Sequence, residues 1–548
     1  MSDRVLSWLF VSVLLLVLNV FPFWVFSLFV FSVGILLRIC QVQKTIGFFH
    51  PFCDGGGGGE RVLWCLVEGL LQENTAGGAG AGRRGRADKI VIYSKSCKPD
   101  FDILSDVKQR FGIDILNAIA SSSPNPARLT SEEECRGFCS TQTRLEFKRL
   151  SLTFLANPDS WPVLTILCQS VGAGILSLEC LLRFAPEVFC DTTGYPCSYP
   201  VARLFGGCEV ACYTHYPTVS TDMLETVRSG ASSFNNSEVI ARSSFLTRGK
   251  LLYYRMLGFL YQCCGSCAGT AVANSKWTQA HIQRIWKKEV PVVYPPTDIR
   301  AFRAESRSIE EEDYRRKPWI VSVAQFRPEK NHRLQLKAFE RLVEKHGNEL
   351  PPDTRLILCG STRGEKDELL VNDLKMLQLQ MPLQVKRRIE FKLNLSLPDL
   401  IAQLHESKVA VHTMVNEHFG ISLVEFLAAG CVVVAHDSGG PKLDILRTAA
   451  SSTSPSRSPG VDRGRLGASA ASVSSQPGQQ REEFQGGGAG GPGYLATTEE
   501  EFADCMWDAV MLGGERYRRM KDKIAQRVAQ FPDNRRFAAS CIEALRLR

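Results

Sequence analysis

Residues 416–425 read NEHFGISLVE. Glu417 and Glu425 stand eight positions apart. Glu417 lies in a loop after an apolar, strand-like run (Val409–Met414), and Glu425 lies inside the helical pattern that follows (Ile421–Ala429). A strand, a loop and a helix start in that order aim unsatisfied backbone N–H groups at one point beyond a sheet edge. One carboxylate placed there can hold sugar hydroxyls and the other a nucleotide ribose. The stretch therefore points to an α/β fold and a nucleotide-sugar transferase.

Outward from this stretch the chain alternates regularly. Strand patterns at Trp319–Ala324, Arg355–Cys359, Arg388–Leu393, Val409–Met414 and Cys431–Ala435 interleave with helical patterns. The helices are His332–His346, Glu365–Leu379, Pro398–Glu406 and Gly420–Ala429, with Gly430 placed as a helix C′ glycine. That is a doubly wound sheet, whose ligands bind beyond the carboxyl ends of the strands. The loop after its first strand, Gln325-Phe326-Arg327-Pro328-Glu329-Lys330-Asn331, carries Arg327 and Lys330 where they can clamp a diphosphate; the bland alternative is a solvated turn. His418-Phe419-Gly420 and Ser438-Gly439-Gly440-Pro441 put glycine where backbone must approach a ligand.

A second α/β unit precedes it. TIGFFHPFCDGGGGGE at 45–60 reads as strand, then glycine loop, with a helical pattern from Arg61 to Leu71. Gly55–Gly59 can take positive φ and bring N–H groups close to an anion, or they are a linker. Further strands are expected at Ile90–Tyr93, Val188–Cys190, Val210–Tyr213 and Ala271–Ala273. His215 follows one of them, facing a cleft or serving the fold. The domain limits expected are 1–44 (anchor), 45–304, 317–447, an insertion at 448–493, and 494–548 closing the second domain. Residues 448–493 are rich in Ser, Gly, Pro and Ala and are expected to be disordered.

Residues 5–37 carry no charge. That run exceeds the roughly 20 residues needed to cross a bilayer and is longer than a signal-peptide core, so an uncleaved anchor is expected. Pro22 could kink it or fold it back. Two further segments, Leu164–Phe184 and Leu251–Ala273, are apolar enough to be either buried helices or segments resting on a bilayer. The 19 cysteines follow no disulfide framework and suit a reducing compartment, which places the body on the cytosolic side and leaves the sequons at Asn235 and Asn394 silent. A net charge of +8 without interleaved aromatic and basic residues argues against nucleic acid. Cys264-Gly265-Ser266-Cys267 lacks the His partners a zinc site needs, and Asp100-Phe101-Asp102 follows Lys98-Pro99 rather than an apolar strand, so it reads as a surface turn.

GFFHPFCDGGGGGERVLWC, HYPTVSTDML, FNNS, VYPPTD, QFRPEKNH, HTMVNEHFGISLVE and HDSGGPKLDI together resemble a known family. It is the retaining, group 1 glycosyltransferases, and among them the GDP-mannose:Man3GlcNAc2-diphosphodolichol α-1,2-mannosyltransferases of asparagine-linked glycosylation. The likeness runs from about Gly47 to Leu446 and resumes near Gly493. It implies a GT-B fold: two Rossmann-like doubly wound domains with a cleft between them, plus an N-terminal membrane helix. It also implies addition of the fourth and fifth mannoses to a dolichol-diphosphate-linked oligosaccharide on the cytosolic face of the endoplasmic reticulum membrane. GDP-mannose is the implied donor, no metal or other cofactor is needed, and other mannosyltransferases of the pathway are candidate partners.

Carried onto this chain, the resemblance has Glu417 holding the mannose and Glu425 the ribose. Lys330, helped by Arg327, stabilises the leaving diphosphate. Gly57 and Gly58 cradle donor or acceptor, His215 sits near the transferred sugar, and the backbone at His418, Phe419 and Gly420 approaches the donor. The wider family has arginine where this chain has Gln325, so Arg327 is the stand-in. No carboxylate nucleophile is evident, which favours attack from the face of departure. The alternatives are a related GT-B enzyme with another donor or lipid-linked acceptor, and a non-catalytic membrane scaffold.

Overall fold

The computed structural model describes residues 32–72, 87–122, 144–218 except 162, 244–303, 316–447 except 363, and 491–547. They form two units, 1–297 with 532–548, and 298–531. Most of the expected anchor, the sequon at Asn235 and nearly all of the insertion lie outside the described residues. Of the anchor, residues 32–39 are helical.

The first unit is built on β1 (Val42–Phe49), β2 (Lys89–Ser94), β3 (Leu145–Arg149), β4 (Pro186–Asp191), β5 (Glu209–Thr214) and β6 (Thr270–Ala273). All pair in parallel, in the order β3-β2-β1-β4-β5-β6. Period-2 alternation sends Ile46, Phe48, Ile90 and Ile92 to one face and Phe49, Val91 and Tyr93 to the other. Both faces are covered, so the strands are apolar on both sides. One face carries α1 (Gly58–Gln72), α2 (Asp100–Phe111) and α3 (Ile115–Ser122). The other carries helix 32–39, α4 (Thr165–Arg183), α5 (Ser198–Leu204), α6 (Ser244–Ser266) and α7 (Lys276–Trp286).

In the second unit the strands are β7 (Lys317–Val323), β8 (Arg355–Gly360), β9 (Ile389–Leu393), β10 (Ser407–His412), β11 (Val432–His436) and β12 (Gly493–Ala496). Their order, β12-β11-β10-β7-β8-β9, repeats the topology of the first sheet. The helices are α8 (His332–His346), α9 (Glu365–Gln380), α10 (Leu397–Glu406), α11 (Ile421–Ala428), α12 (Glu499–Val510) and α13 (Gly514–Val528). Gly430 takes φ +84° just past α11, as the C′ position requires. Each sheet reverses its winding at one point, between β1 and β4 in the first and between β7 and β10 in the second. Loops diverge there and leave a crevice at the strand ends.

Several expectations change. The last helix, α14 (Asn534–Leu545), belongs to the first unit rather than closing the second. Its buried stripe (Phe537, Ala538, Cys541, Ile542, Leu545) packs with α1 and β6, and Thr270 Oγ1 donates to Leu545 O at 3.0 Å. At Gly69 a Cβ would come within 2.6 Å of Ala538 Cβ, so glycine lets the two helices approach. The unit boundary falls at 297/298 rather than after 304, because the short helix Ile299–Phe302 buries Phe302 and His405 Nε2 donates to its carbonyl at 2.9 Å. Leu251–Ala273 is not one segment: α6 stops at Ser266, residues 267–269 turn the chain, and β6 begins at Thr270. Asp100–Asp102 opens α2 instead of forming a turn, with Asp100 bound to Arg149. The insertion ends earlier than expected, since β12 already begins at Gly493.

Candidate active site

In the second unit the site grows from the reversal point between β7 and β10. The loop after β7 makes a short 3-10 turn at Pro328–Lys330, and Asn331 (φ +52°) turns the chain into α8. Thr413, at the end of β10, donates to Lys330 O at 2.9 Å and accepts from Gln335 Nε2 at 2.9 Å, which pins the two loops together. This brings the Lys330 ammonium to 2.7 Å from Glu417 Oε2 and 3.1 Å from Met414 Sδ. His412 Nε2 reaches the same carboxylate oxygen at 3.0 Å. Both contacts fall on Oε2, so Oε1 is left for a hydroxyl donor. Burial alone would raise the Glu417 carboxyl, but the His412 hydrogen bond and the Lys330 charge outweigh it and hold it well below the usual carboxylate range.

Glycines and one asparagine shape the loop around it. Asn416 takes φ +53°, and its N–H donates to Ser438 Oγ at 2.7 Å. Gly440 N–H donates to Glu417 O at 2.7 Å. Gly439 has φ +55°, and a Cβ there would lie 2.3 Å from Glu417 O, so the Ser438–Gly440 loop can cradle Glu417 only with glycine. Gly420 (φ +97°) opens α11. Glu425 stands on the second turn of that helix, half-buried. Phe419 is buried edge-on against Phe531 at 5.8 Å, so its ring serves packing and its backbone is what a ligand could meet.

The structure thus gathers Lys330 and Glu417, but not Arg327. Arg327 is exposed, its guanidinium 4.0 Å from Glu329. Sequence reasoning assigned no role to the side chains of His412, Met414 and Ser438. The available signal was a polar pair, His412-Thr413, at the end of an otherwise apolar strand.

The first unit holds a second constellation at its own reversal point. His50, after β1, shares a hydrogen bond between Nδ1 and Thr192 Oγ1 (2.8 Å), and Thr192 follows β4. His215, after β5, donates from Nε2 to Thr192 O at 3.1 Å, since a carbonyl can only accept. Its imidazole is pushed down to about 4 by burial, with the neighbouring His50 adding to the effect. Glu60, in the first turn of α1, accepts from Gly57 N–H at 2.6 Å and lies 3.7 Å from His50 Nε2. None of Gly55–Gly59 adopts a left-handed backbone, and the Gly57 N–H is engaged by Glu60. Gly58 is exposed at the helix start. Among the described residues no His, Cys, Asp and Glu cluster suited to a metal occurs.

Comparison with known proteins bears on both units. Residues 43–286 match the family model for the ALG11 mannosyltransferase N-terminus, and residues 304–448 match that for glycosyl transferases group 1. The chain is 38% identical over 411 residues to the GDP-Man:Man(3)GlcNAc(2)-PP-Dol α-1,2-mannosyltransferase of Dictyostelium discoideum, covering 74% of each chain. To the Homo sapiens protein of that name it is 38% identical over 407 residues, again 74% of each. Among solved structures, a UDP-forming trehalose-phosphate synthase from Burkholderia xenovorans aligns with TM-score 0.53 and 11% identity, over 92% of this chain and 99% of that one. Anabaena Alr3699/HepE in complex with UDP and glucose aligns with TM-score 0.50 and 13% identity, over 91% and 98%. These structures share the fold.

Proposed function

This chain belongs to the ALG11 mannosyltransferase family, and on that premise we propose how its own residues transfer mannose. The donor is GDP-mannose, and the acceptor is the dolichol-diphosphate-linked Man3GlcNAc2 oligosaccharide, extended in α-1,2 linkage. The observation that carries the residue assignment is the Lys330–Glu417–His412 cluster at the reversal point of the group 1 domain.

Cleavage of the sugar–phosphate bond puts negative charge on GDP and positive charge on the mannosyl ring. Glu417, kept ionised, accepts mannose hydroxyls through Oε1 and holds the anomeric carbon in place. Lys330 swings between the carboxylate and the diphosphate and neutralises the leaving group, together with the N–H groups at the start of α11. Glu425 binds the ribose hydroxyls. Arg327, on the same loop, assists Lys330 at the diphosphate. His215, neutral above pH 5, contacts the transferred sugar through hydrogen bonds rather than charge. Gly57 and Gly58 approach the substrate once Glu60 releases the loop. No carboxylate nucleophile is evident in the sequence, so the acceptor hydroxyl attacks from the face of departure and its proton passes to the departing phosphate oxygen, which retains configuration. The reaction takes place on the cytosolic face of the endoplasmic reticulum membrane, which the uncharged segment 5–37 enters. Other mannosyltransferases of the pathway are candidate partners there.

The test is incubation of the full chain with GDP-mannose and a lipid-linked Man3GlcNAc2 acceptor. Two added hexoses, both released by an α-1,2-mannosidase, are expected. Transfer from a UDP-sugar instead, or a trapped mannosyl-enzyme, would overturn the donor or the same-face route respectively.

A further inference from the structure

Glu417 Oε2 has two donors, and they differ in how firmly they are held. His412 ends β10, an interior strand paired with β7 on one side and with β11 on the other, where it stands opposite Ala435. Its ring is buried, and its Nε2 lies 3.0 Å from Oε2. A carboxylate oxygen only accepts, so this nitrogen carries the proton and donates. Lys330 sits in the turn after β7, where Thr413 pins its carbonyl but not its ammonium. That ammonium ends a flexible four-carbon stem and keeps part of its hydration. It also meets the thioether of Met414, a weak acceptor. One donor is therefore fixed by the sheet, and the other can move.

The difference has a consequence under the mechanism proposed above, on which this inference rests. There Lys330 leaves Glu417 to reach the diphosphate. The carboxylate stays behind, largely buried and still charged. A buried charge stripped of its partners costs far more than an ordinary hydrogen bond contributes. Burial works against the Glu417 charge, and the His412 hydrogen bond is the largest single effect opposing it, followed by the charge of Lys330.

We propose that His412 is a positioning residue for recognition of the donor diphosphate: it keeps Glu417 Oε2 satisfied when Lys330 departs, and so sets Lys330 free to bind the diphosphate. His412 touches no substrate itself. Without its N–H, Glu417 competes with the diphosphate for the same ammonium, and Lys330 stays on the carboxylate at 2.7 Å. A histidine that only filled space would affect the whole nucleotide site. This one is coupled to the diphosphate alone, and only through Lys330.

The experiment measures binding of GDP, and of guanosine, which lacks the diphosphate, to the full chain in detergent. Calorimetry serves for GDP and competition for guanosine. His412→Phe keeps a planar ring and removes the N–H. It is expected to weaken GDP binding about tenfold, the effect of one lost hydrogen bond to a charged group, and to leave guanosine within about twofold of the parent. His412→Gln returns an N–H donor and is expected to recover most of the loss. In a Lys330→Met background, His412→Phe is expected to change GDP affinity by less than about twofold, because no ammonium remains to be released. Equal weakening of GDP and guanosine, a loss undiminished in the Lys330→Met background, or no recovery with His412→Gln would overturn the inference. Should His412→Phe fail to fold, His412→Asn, whose amide is one bond shorter than that of glutamine, decides by the same GDP and guanosine comparison. A Lys330→Met protein that binds GDP as tightly as the parent would sink the diphosphate contact of Lys330 in the mechanism itself, and this inference with it.

Discussion

Glu417→Gln isolates the charge at the centre of the site. The glutamate side chain is 12% exposed, its partner Lys330 23% and His412 3%. Breaking a fully buried ion pair costs about 3–5 kcal/mol. Lys330 keeps part of its hydration and the amide oxygen still accepts a hydrogen bond, so about 1–3 kcal/mol is expected here. For a unit of this size that lowers the unfolding midpoint by roughly 2–10 °C. The catalytic loss should be larger, about 10²–10³-fold in kcat, because a preorganised charge acting on the transition state is removed. The sign of the pH dependence follows from the lowered carboxyl. The unfolded chain takes up the proton first, so Glu417 stabilises fully above its unfolded value of about 4.3, and that contribution is lost as pH falls toward the folded value. Parent and variant stability curves should therefore run parallel above about pH 5 and converge in acid. The assays are radiolabelled mannosyl transfer to the lipid-linked acceptor and thermal unfolding followed by circular dichroism. A folded variant with kcat within about threefold of the parent would refute the role.

Arg316→Met should destabilise the second unit by about 3–5 kcal/mol. The buried guanidinium donates to Leu404 O at 3.2 Å and Ser407 O at 2.6 Å and also to Ala429 O, so it ties α10, β10 and the end of α11 together; an unchanged midpoint would contradict this. His215→Gln should flatten the acid side of the stability profile: a histidine lowered from 6.5 to about 4 stabilises fully above 6.5 and loses that contribution as pH falls toward 4. The same variant should leave the activity profile between pH 5 and 8 unchanged in shape while lowering kcat, as measured in parallel buffers. Replacing residues 449–489 by a short Gly-Ser connector should change the midpoint by less than about 2 °C, since a long flexible loop costs little more to close than a short one. The flanks already meet, a Cβ on Gly491 lying 2.1 Å from Leu446 O. A large loss of stability or transfer would show that the insertion has a role.

The legible part of this protein was local. Alternating strand and helix periods are set by neighbours along the chain, so two doubly wound sheets could be read from 45 onward. Glu417, Gly420 and Gly439 were legible because a strand end, a positive-φ turn and a helix start are short-range constraints. Lys330 was readable as a strand-end cation, though not with Glu417 as its partner. Strand order decides that, bringing the ends of β7 and β10 together from 84 and more residues apart. Long-range packing also returned α14 to the first unit, whereas Glu60 takes the Gly57 N–H from three residues along the chain and Arg327 lies exposed beside Glu329. An apolar helix such as α4 has the same composition whether it is buried, crosses a bilayer or lies along one. Only the sheet beneath it shows which side is covered and which is left for a partner.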